Sequence, residues 1–514
     1  MIGRSTGNRR EYKQGHSISN RTLFLTMALL LLPGLMRAQE PDTLWSRTFG
    51  GSNIDIGHSV RQTSDGGFIV TGYTRSYGST GGRNVWLLKT DSDGVEEWNN
   101  AFGGDDDDEG HSVRQTTDGG YVTAGLTSSF GAGGKDVLLV KCDSLGEEEW
   151  SVTFGGTYDD EAYSVLQTPD EGYLLAGATS SFGSGSRDVW LIRTDSSGNE
   201  IWNRTHGGYG SDGAWSARRT SDGGFIVTGW TFSHGPGYLG NAWLLKTDSS
   251  GQEEWSTFYG GDDADRGYDV RQTFDGGYVI AGYTGSIGSG LYDMLLIKTD
   301  SLGNQEWMKA FGGTGRDYGN SVVQTEDGGY TVAGHTLSFG AGSEDLWLVR
   351  TDGEGSQEWY SAYGGSSSDV AYSIQKTTDS GYIATGHTLS FGAGLHDVWL
   401  LRFATDQTGV EHNPAVPSGL DLGECRPNPF FSSTALSYEV PFAGRVRMAI
   451  YSIRGRVVRT LVDRPMEAGS HSIVWDGKND AGERAAGGVY FCRLEAAGRT
   501  VSRKLLLLEA GSAL

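Results

Sequence analysis

The stretch DGGYVTAGLTSSFGAGGKD, residues 118 to 136, has the make-up of a glycine-rich loop that cradles a phosphate on backbone N–H groups and feeds it a lysine. The phrase returns as EGYLLAGATSSFGSGSRD, GGYVIAGYTGSIGSGLYD, GGYTVAGHTLSFGAGSED and SGYIATGHTLSFGAGLHD. A catalytic loop has no reason to recur in this way, so these glycines are assigned to turns and close backbone packing. GPGYLG (235–240) fits G-x-G-x-x-G, yet it lies between two strand-like runs with no helix behind it. The means of holding a dinucleotide pyrophosphate is therefore missing.

A second candidate is a carboxylate that recurs at one place in every copy: Asp55, Asp108, Asp160, Asp212, Asp265, Asp317 and Asp369. A ring of carboxylates is cation chemistry. GGYGSD (207–212) and GGTGRD (312–317) resemble single calcium-binding turns of nonapeptide repeats, and Asp105 to Asp108 form an acidic run. Such turns bind calcium when stacked every nine residues, and here the interval is about fifty. The aspartates are expected to accept backbone N–H bonds in a loop. Calcium is the one cation the pattern suggests, and no other metal or cofactor is expected.

Positions that vary between copies are better ligand-binding candidates. One column reads Tyr73, Leu126, Ala178, Trp230, Tyr283, His335 and His387, and the fourth copy adds His206, Trp215, His234 and Tyr238. Aromatic and histidine side chains gathered on a concave mouth stack sugar rings or peptide side chains. The candidate set is Trp215, Trp230, His234, Tyr238, His335 and His387. The sequence has no G-x-S-x-G elbow, no H-E-x-x-H, no C-x-x-C pair and no unique Ser/His/Asp grouping. No catalytic residue is assigned, and binding is favoured over catalysis. The alternative is an extracellular hydrolase or lyase acting on carbohydrate.

The elements that must position these residues follow from a ruler. Trp45, Trp98, Trp150, Trp202, Trp255, Trp307 and Trp359 are spaced by 53, 52, 52, 53, 52 and 52 residues, the signature of a repeat array. Each unit holds four strand-like runs, of which EEWNNAF (A), HSVRQT (B), YVTAGLT (C) and DVLLVKC (D) are one set. Four strands per unit and seven units imply an all-β fold, a seven-bladed β-propeller. Short Gly-containing links join B to C and D to A as hairpins, so the step between blades is one of the longer A-to-B and C-to-D links, and A-to-B is chosen because A carries exposed charge suited to an outer edge. The start of B is small in every copy (Gly57, Gly110, Ala162, Ala214, Gly267, Gly319, Ala371), so B is expected innermost, with these residues at the crowded axis. The array enters at an A run and leaves at a D run, so the last D is expected to pair with the first A and close the ring.

Composition bounds the rest. The chain has 514 residues, 81 of them glycine, with abundant aromatics that disordered sequences lack. TLFLTMALLLLPGL (22–35) behind a basic segment reads as a secretory signal. A single anchor is the other reading, but the run is shorter than the roughly 20 residues a bilayer needs. Residues 39–417 carry 22 Lys and Arg against 53 Asp and Glu, a formal −31. Such a surface repels nucleic acid and anionic lipid. Cys142 stands where other copies have Thr90, Thr194 and Thr299, a small buried place, while Cys425 and Cys492 are open to pairing or to separate burial.

After VEHNPAVPSG the repeat stops, and short alternating runs suggest a small antiparallel sandwich. PNPF (Pro427, Asn428, Pro429, Phe430), YSIRGRVVRTL (451–461), WDGKNDAG (475–482), GGVYFCRLE (487–495) and the KLLLL run from Lys504 resemble the type IX secretion sorting domain and the flagellar-hook-cap (FlgD-like) Ig-like domain, over residues 420–510. The resemblance implies export and surface attachment, with the sorting machinery as a partner. The units at 40–403 are similar to delta-60-like or quinoprotein-like β-propeller repeats, which implies the fold alone. The expected organisation is a signal peptide (1–38), propeller (39–403), linker (404–418) and C-terminal Ig-like sorting or anchoring domain (419–510). The mature chain is expected to have no transmembrane span, to reside outside the cell or on the outer-membrane surface, and to bind an extracellular glycan or protein.

Overall fold

The computed structural model describes residues 41–405 except 79–80, and 421–508 except 427, 429, 431–432, 441–443, 467–468 and 497–498. The expected signal segment, and the expected linker beyond residue 405, lie outside the described residues. Every regular element among the described residues is a β-strand, and none is a helix long and apolar enough to cross a membrane.

The repeat region forms seven four-stranded antiparallel sheets. The first runs B (Asp55–Gln62), C (Phe68–Thr74), D (Asn84–Thr90) and A (Glu96–Phe102), in that order across the sheet. Five more sheets copy it, with B strands opening at Asp108, Asp160, Asp212, Asp265 and Asp317. The seventh contains Asp369–Lys376, Tyr382–Thr388 and Asp397–Phe403, and takes its outer strand, Thr43–Phe49, from the start of the array. Trp45 faces Arg402 and Phe49 faces Val398 in this pairing, as the entry and exit of the repeat require. Trp399 Nε1 donates to Ser46 Oγ at 2.8 Å, and the Trp45 ring meets Phe68 of the first sheet edge-on at 5.7 Å.

Two sets of hydrogen bonds stitch neighbouring sheets. On one side the N–H of each opening aspartate donates to a carbonyl in the preceding sheet's C-to-D link, as Asp108 does to Arg83 at 2.8 Å. Asp55 donates to His396 at 2.8 Å and completes the circuit. On the other side the glutamine ending a B strand accepts an N–H from the preceding B-to-C turn: Ser64 to Gln115, Thr117 to Gln167, Ser221 to Gln272, Phe274 to Gln324 and, across the seam, Thr378 to Gln62. The two departures are matched. Pro169 has no N–H to give, and its neighbour carries Arg219 instead of glutamine. Glu326 faces Lys376, whose Nζ lies 3.4 Å from its carboxylate.

Strands C and D are buried along nearly their whole length because neighbouring sheets cover both faces, which explains their continuous apolar runs. Outer strands are half exposed. The buried D-strand lysines, Lys89 for example, reach a turn aspartate at 2.9 Å (Asp65) and an outer-strand glutamate at 2.7 Å (Glu97). Cys142 is fully buried, and burial pushes its thiol up to about 12. The small residues opening strand B are inside the ring but do not face its axis: a Cβ on Gly57 would meet Thr385 Oγ1 of the adjoining sheet at 2.8 Å. They set how closely sheets pack, and the axis is lined by the residue that follows.

In the C-terminal region Asp421–Arg426, Thr434–Val440 and Gly469–Trp475 form one antiparallel sheet. Gly444–Ser452, Val457–Met466, Gly488–Ala496 and Arg499–Leu507 form another. Their apolar residues share one core around Trp475, Phe430 and Tyr490, with Cys492 buried in it. Asn428 Nδ2 donates to the Lys504 carbonyl at 2.9 Å and its Oδ1 accepts the Leu506 N–H at 2.8 Å, while Phe430 N donates to Leu506 O at 3.0 Å. The described half of the PNPF motif is thus tied to the terminal strand; Pro427 and Pro429 lie outside the described residues.

Candidate functional site

Each B strand carries a β-bulge one residue after its small position: Gly57 pairs with Gly72 and Ser59 with Thr71, leaving His58 without a cross-strand partner. The same break occurs in the other six sheets. A bulge on the innermost strand frees the extra residue from the in-and-out alternation and turns its side chain to the axis. The seven residues so placed are His58, His111, Tyr163, Trp215, Tyr268, Asn320 and Tyr372.

They form a collar. Ring centroids are 5.5 Å apart for Tyr372 and His58, 5.0 Å for His58 and His111, 4.9 Å for His111 and Tyr163, 4.2 Å for Tyr163 and Trp215, and 5.6 Å for Trp215 and Tyr268. Asn320 fills the remaining place, donating from Nδ2 to the Ala371 carbonyl at 2.7 Å. The collar is the floor of a pocket of about 530 Å³ at one mouth of the channel, whose wall adds Arg316, Tyr318, His335, Leu337 and Glu344. Tyr318 and His335 are stacked, 4.5 Å apart and 21° from parallel. Burial pushes His335 below its ordinary value, so it is a neutral donor or acceptor at pH 7. Burial likewise lowers His58 to about 4 and raises the Tyr163 and Tyr372 phenols.

The collar is braced from behind. Tyr163 donates its hydroxyl to Glu161, which is ion-paired with Arg187 and Lys135. Burial acts to raise Glu161, but Arg187, Tyr163 and Lys135 overcome it and hold the carboxyl at about 2. In the preceding sheet His111 Nε2 lies 3.6 Å from Glu109, which is ion-paired with Arg83. Ligand atoms of His58, Glu109 and His111 fall within 4.8 Å of one another, a donor set suited to a first-row divalent ion. The next sheet puts Glu161 and Tyr163 in the places of Glu109 and His111, with Lys135 in the place of Arg83 and Arg187 added, so bracing alone accounts for the group.

Below the collar the inner strands supply a belt of buried Ser59, Ser112, Ser164, Ser216, Asp269, Ser321 and Ser373. Collar and belt, with Arg61, Arg218 and Gln375, line a second, open cavity of about 80 Å³.

Of the residues expected to bind ligand, Trp215 and His335 line the pocket. Trp230 is buried behind Trp215 at 5.2 Å, with the Arg187 guanidinium over its ring at 5.8 Å. His387 is 5% exposed and packs on Tyr372 and His396. His234 and Tyr238 stand on an exposed C-to-D link outside the pocket wall, Tyr238 being 97% exposed. The collar itself escaped sequence reasoning except for Trp215. Its signal was a column that varies among His, Tyr, Trp and Asn, flanked by a small residue in every copy and a nearly constant serine. The seven aspartates Asp55, Asp108, Asp160, Asp212, Asp265, Asp317 and Asp369 are fully buried. Each accepts the N–H of the glycine four residues earlier, at 2.8 or 2.9 Å.

Residues 432–499 match the FlgD Ig-like domain. The Ig-like domain accounts for most of the C-terminal strands. No curated protein matches the chain. Among solved structures it is similar to PorZ, an essential bacterial surface component of the type-IX secretion system of Porphyromonas gingivalis. Identity is 12% and the TM-score 0.38, over 90% of this chain and 60% of that one. It is also similar to a fungal alcohol oxidase in complex with copper (11%, 0.41, 91% and 99%) and to a puromycin hydrolase (13%, 0.42, 76% and 59%). The chain thus spans 60% of the PorZ structure's length. No function is assigned from these likenesses.

Proposed function

We propose that the chain is an exported cell-surface or secreted binding protein, built as a seven-bladed β-propeller (39–403), a linker (404–418) and an Ig-like sorting or anchoring domain (419–510). The observation that carries the reading is the aromatic collar under the 530 Å³ pocket. Six of its seven side chains are rings, and Arg316, Glu344, Asn320 and His335 supply polar groups at the same surface. Flat apolar faces joined to a few fixed hydrogen-bonding groups suit a saccharide ring of an extracellular glycan. Glycoside hydrolysis asks for two carboxylates flanking the scissile bond, and among the residues lining the pocket Glu344 is the one carboxylate, which favours binding. Export rests on the apolar run at 22–35 and on the Ig-like domain, with Pro427, Asn428, Pro429, Phe430 and Lys504 as the sorting motif read by the export machinery.

The test is a glycan array probed with the full mature chain, followed by calorimetry of the best binder. Trp215→Ala and Tyr268→Ala are expected to weaken it at least about tenfold, the loss of one stacked face each. Unchanged affinity in both variants refutes the collar as the binding surface.

A further inference from the structure

Two residues beyond the serine belt, the inner strands present Arg61, Arg114, Arg218 and Arg271, with Gln375 on the last of them. Four guanidiniums around one axis are opposed by a single carboxylate, Asp269, which stands where the other six copies have serine. Its capacity is already used. Oδ1 accepts Arg218 Nη2 at 2.6 Å, Ser216 Oγ at 2.9 Å and the Val270 N–H at 3.0 Å. Oδ2 accepts Ser321 Oγ at 3.0 Å and the Val322 N–H at 3.2 Å, with Arg271 Nε at 3.5 Å. A carboxylate has about four lone-pair sites, so Asp269 has none left for the other two arginines.

Those two are poorly provided for. Arg61 donates to the Val60 carbonyl at 3.0 Å, and Arg114 has no hydrogen bond or ion pair among the described residues. The Nε atoms of Arg218 and Arg271 are buried without a hydrogen-bond partner. Arg271 instead reaches across the channel to Gln375 Oε1 at 3.1 Å. Burial, and then the charges of Arg218 and Arg271, push Arg114 well below its ordinary value. A guanidinium does not shed its proton in water-accessible protein, so a repelled cluster of this kind needs a counter-charge from outside. The surrounding chain does not supply it, although residues 39–417 are strongly acidic overall.

We propose that the Arg61, Arg114, Arg218 and Arg271 belt, together with the cavity of about 80 Å³ that Arg61 and Arg218 line alongside the serines and the already saturated Asp269, is an axial binding site for a small oxyanion, phosphate or sulfate in geometry. Guanidinium forks and serine hydroxyls are the donors such an ion takes, and the cavity exceeds the roughly 30 Å³ share of one water. The acidic exterior repels extended polyanions, so the ion enters free or as the single anionic group of a larger ligand. The site does not depend on the saccharide reading of the opposite mouth.

The experiment is thermal unfolding and calorimetry of the full mature chain at fixed pH and ionic strength, with sodium phosphate or sodium sulfate replacing sodium chloride. The wild type is expected to gain thermal midpoint with the oxyanion. Arg114→Gln and Arg61→Gln are expected to keep the native circular dichroism spectrum, to weaken the oxyanion about tenfold or more, and to match or exceed the wild-type midpoint in chloride, because each removes an uncompensated charge. A sulfated disaccharide that binds more tightly than inorganic sulfate makes the ion a ligand's group. One that binds no better makes it the free ion, and both uphold the site. The proposal is overturned if phosphate and sulfate stabilise the wild type no more than chloride. It is equally overturned if both variants keep the full gain while losing midpoint in chloride, since the arginines are then structural.

Discussion

Trp45→Ala probes the seam at which the ring is closed. The indole lies on the outer strand of the seventh sheet, 5.7 Å from Phe68, and packs on the cluster containing Val60, Trp86 and Val398. Cutting a fully buried tryptophan to alanine costs about 3–5 kcal/mol. Trp45 is half-buried, so the expected cost is about 2 kcal/mol, or about 30-fold in an opening equilibrium. Strand Thr43–Phe49 is held by pairing to one neighbour, so the loss falls on local opening of that edge before the whole ring. Native-state amide exchange read by mass spectrometry should show about a 30-fold rise within 397–403, with 160–259 unchanged. An equal rise in all sheets, or none at the seam, would show that the closing strand is no weaker than the rest, and the reasoning fails.

Three further outcomes are expected. Glu171 and Ser380 hold φ values of 66° and 65° where the equivalent turns have glycine, so Glu171→Gly and Ser380→Gly should each stabilise by about 1 kcal/mol in thermal unfolding; a loss in both refutes a strained turn. His58 and His387 are lowered by burial to about 4 and about 3, so the unfolded chain takes up protons below about pH 6.5 while the folded chain does not. Stability is full above that pH and falls from 6.5 towards 4. The thermal midpoint should drop across this window, less steeply in His387→Gln, and a flat midpoint refutes it. Gln115→Ala removes the acceptor of the Ser64 N–H and should cost about 0.5–1 kcal/mol by urea unfolding, whereas Arg219→Gln should change nothing because Pro169 has no N–H to satisfy; equal effects would contradict the stitching role.

The architecture was readable because its causes are local and repeated. Tryptophans at a constant interval, glycines at hairpin turns and apolar C and D runs each report one structural demand, and seven copies average out the exceptions. Ring closure followed from chain order alone. The collar was not readable, because a bulge has no residue signature: His58, Tyr163, Trp215 and Asn320 share a place without sharing a chemistry. Variation between copies drew attention to the end of strand C, one strand away from the bulge column. There Ala178, Trp230 and His387 are packed behind the collar, and His335 reaches the pocket. Likewise the four arginines stand 53, 104 and 53 residues apart. Only the closed ring turns that separation into crowding.

Ser46 and Trp399 touch across 353 residues of chain, which gives the fold an order in time. The strand that begins the ring is synthesised first, and its partner last. Until Asp397–Phe403 is available, Thr43–Phe49 has no ladder to join and the seventh sheet has no outer edge. The six complete sheets form from contiguous sequence with short turns and can assemble as the chain lengthens, whereas the seam waits on a loop closure of the greatest span in the array. A chain interrupted before residue 397 therefore keeps two bare edges however well its middle has folded. Closure reports that the whole array has been made.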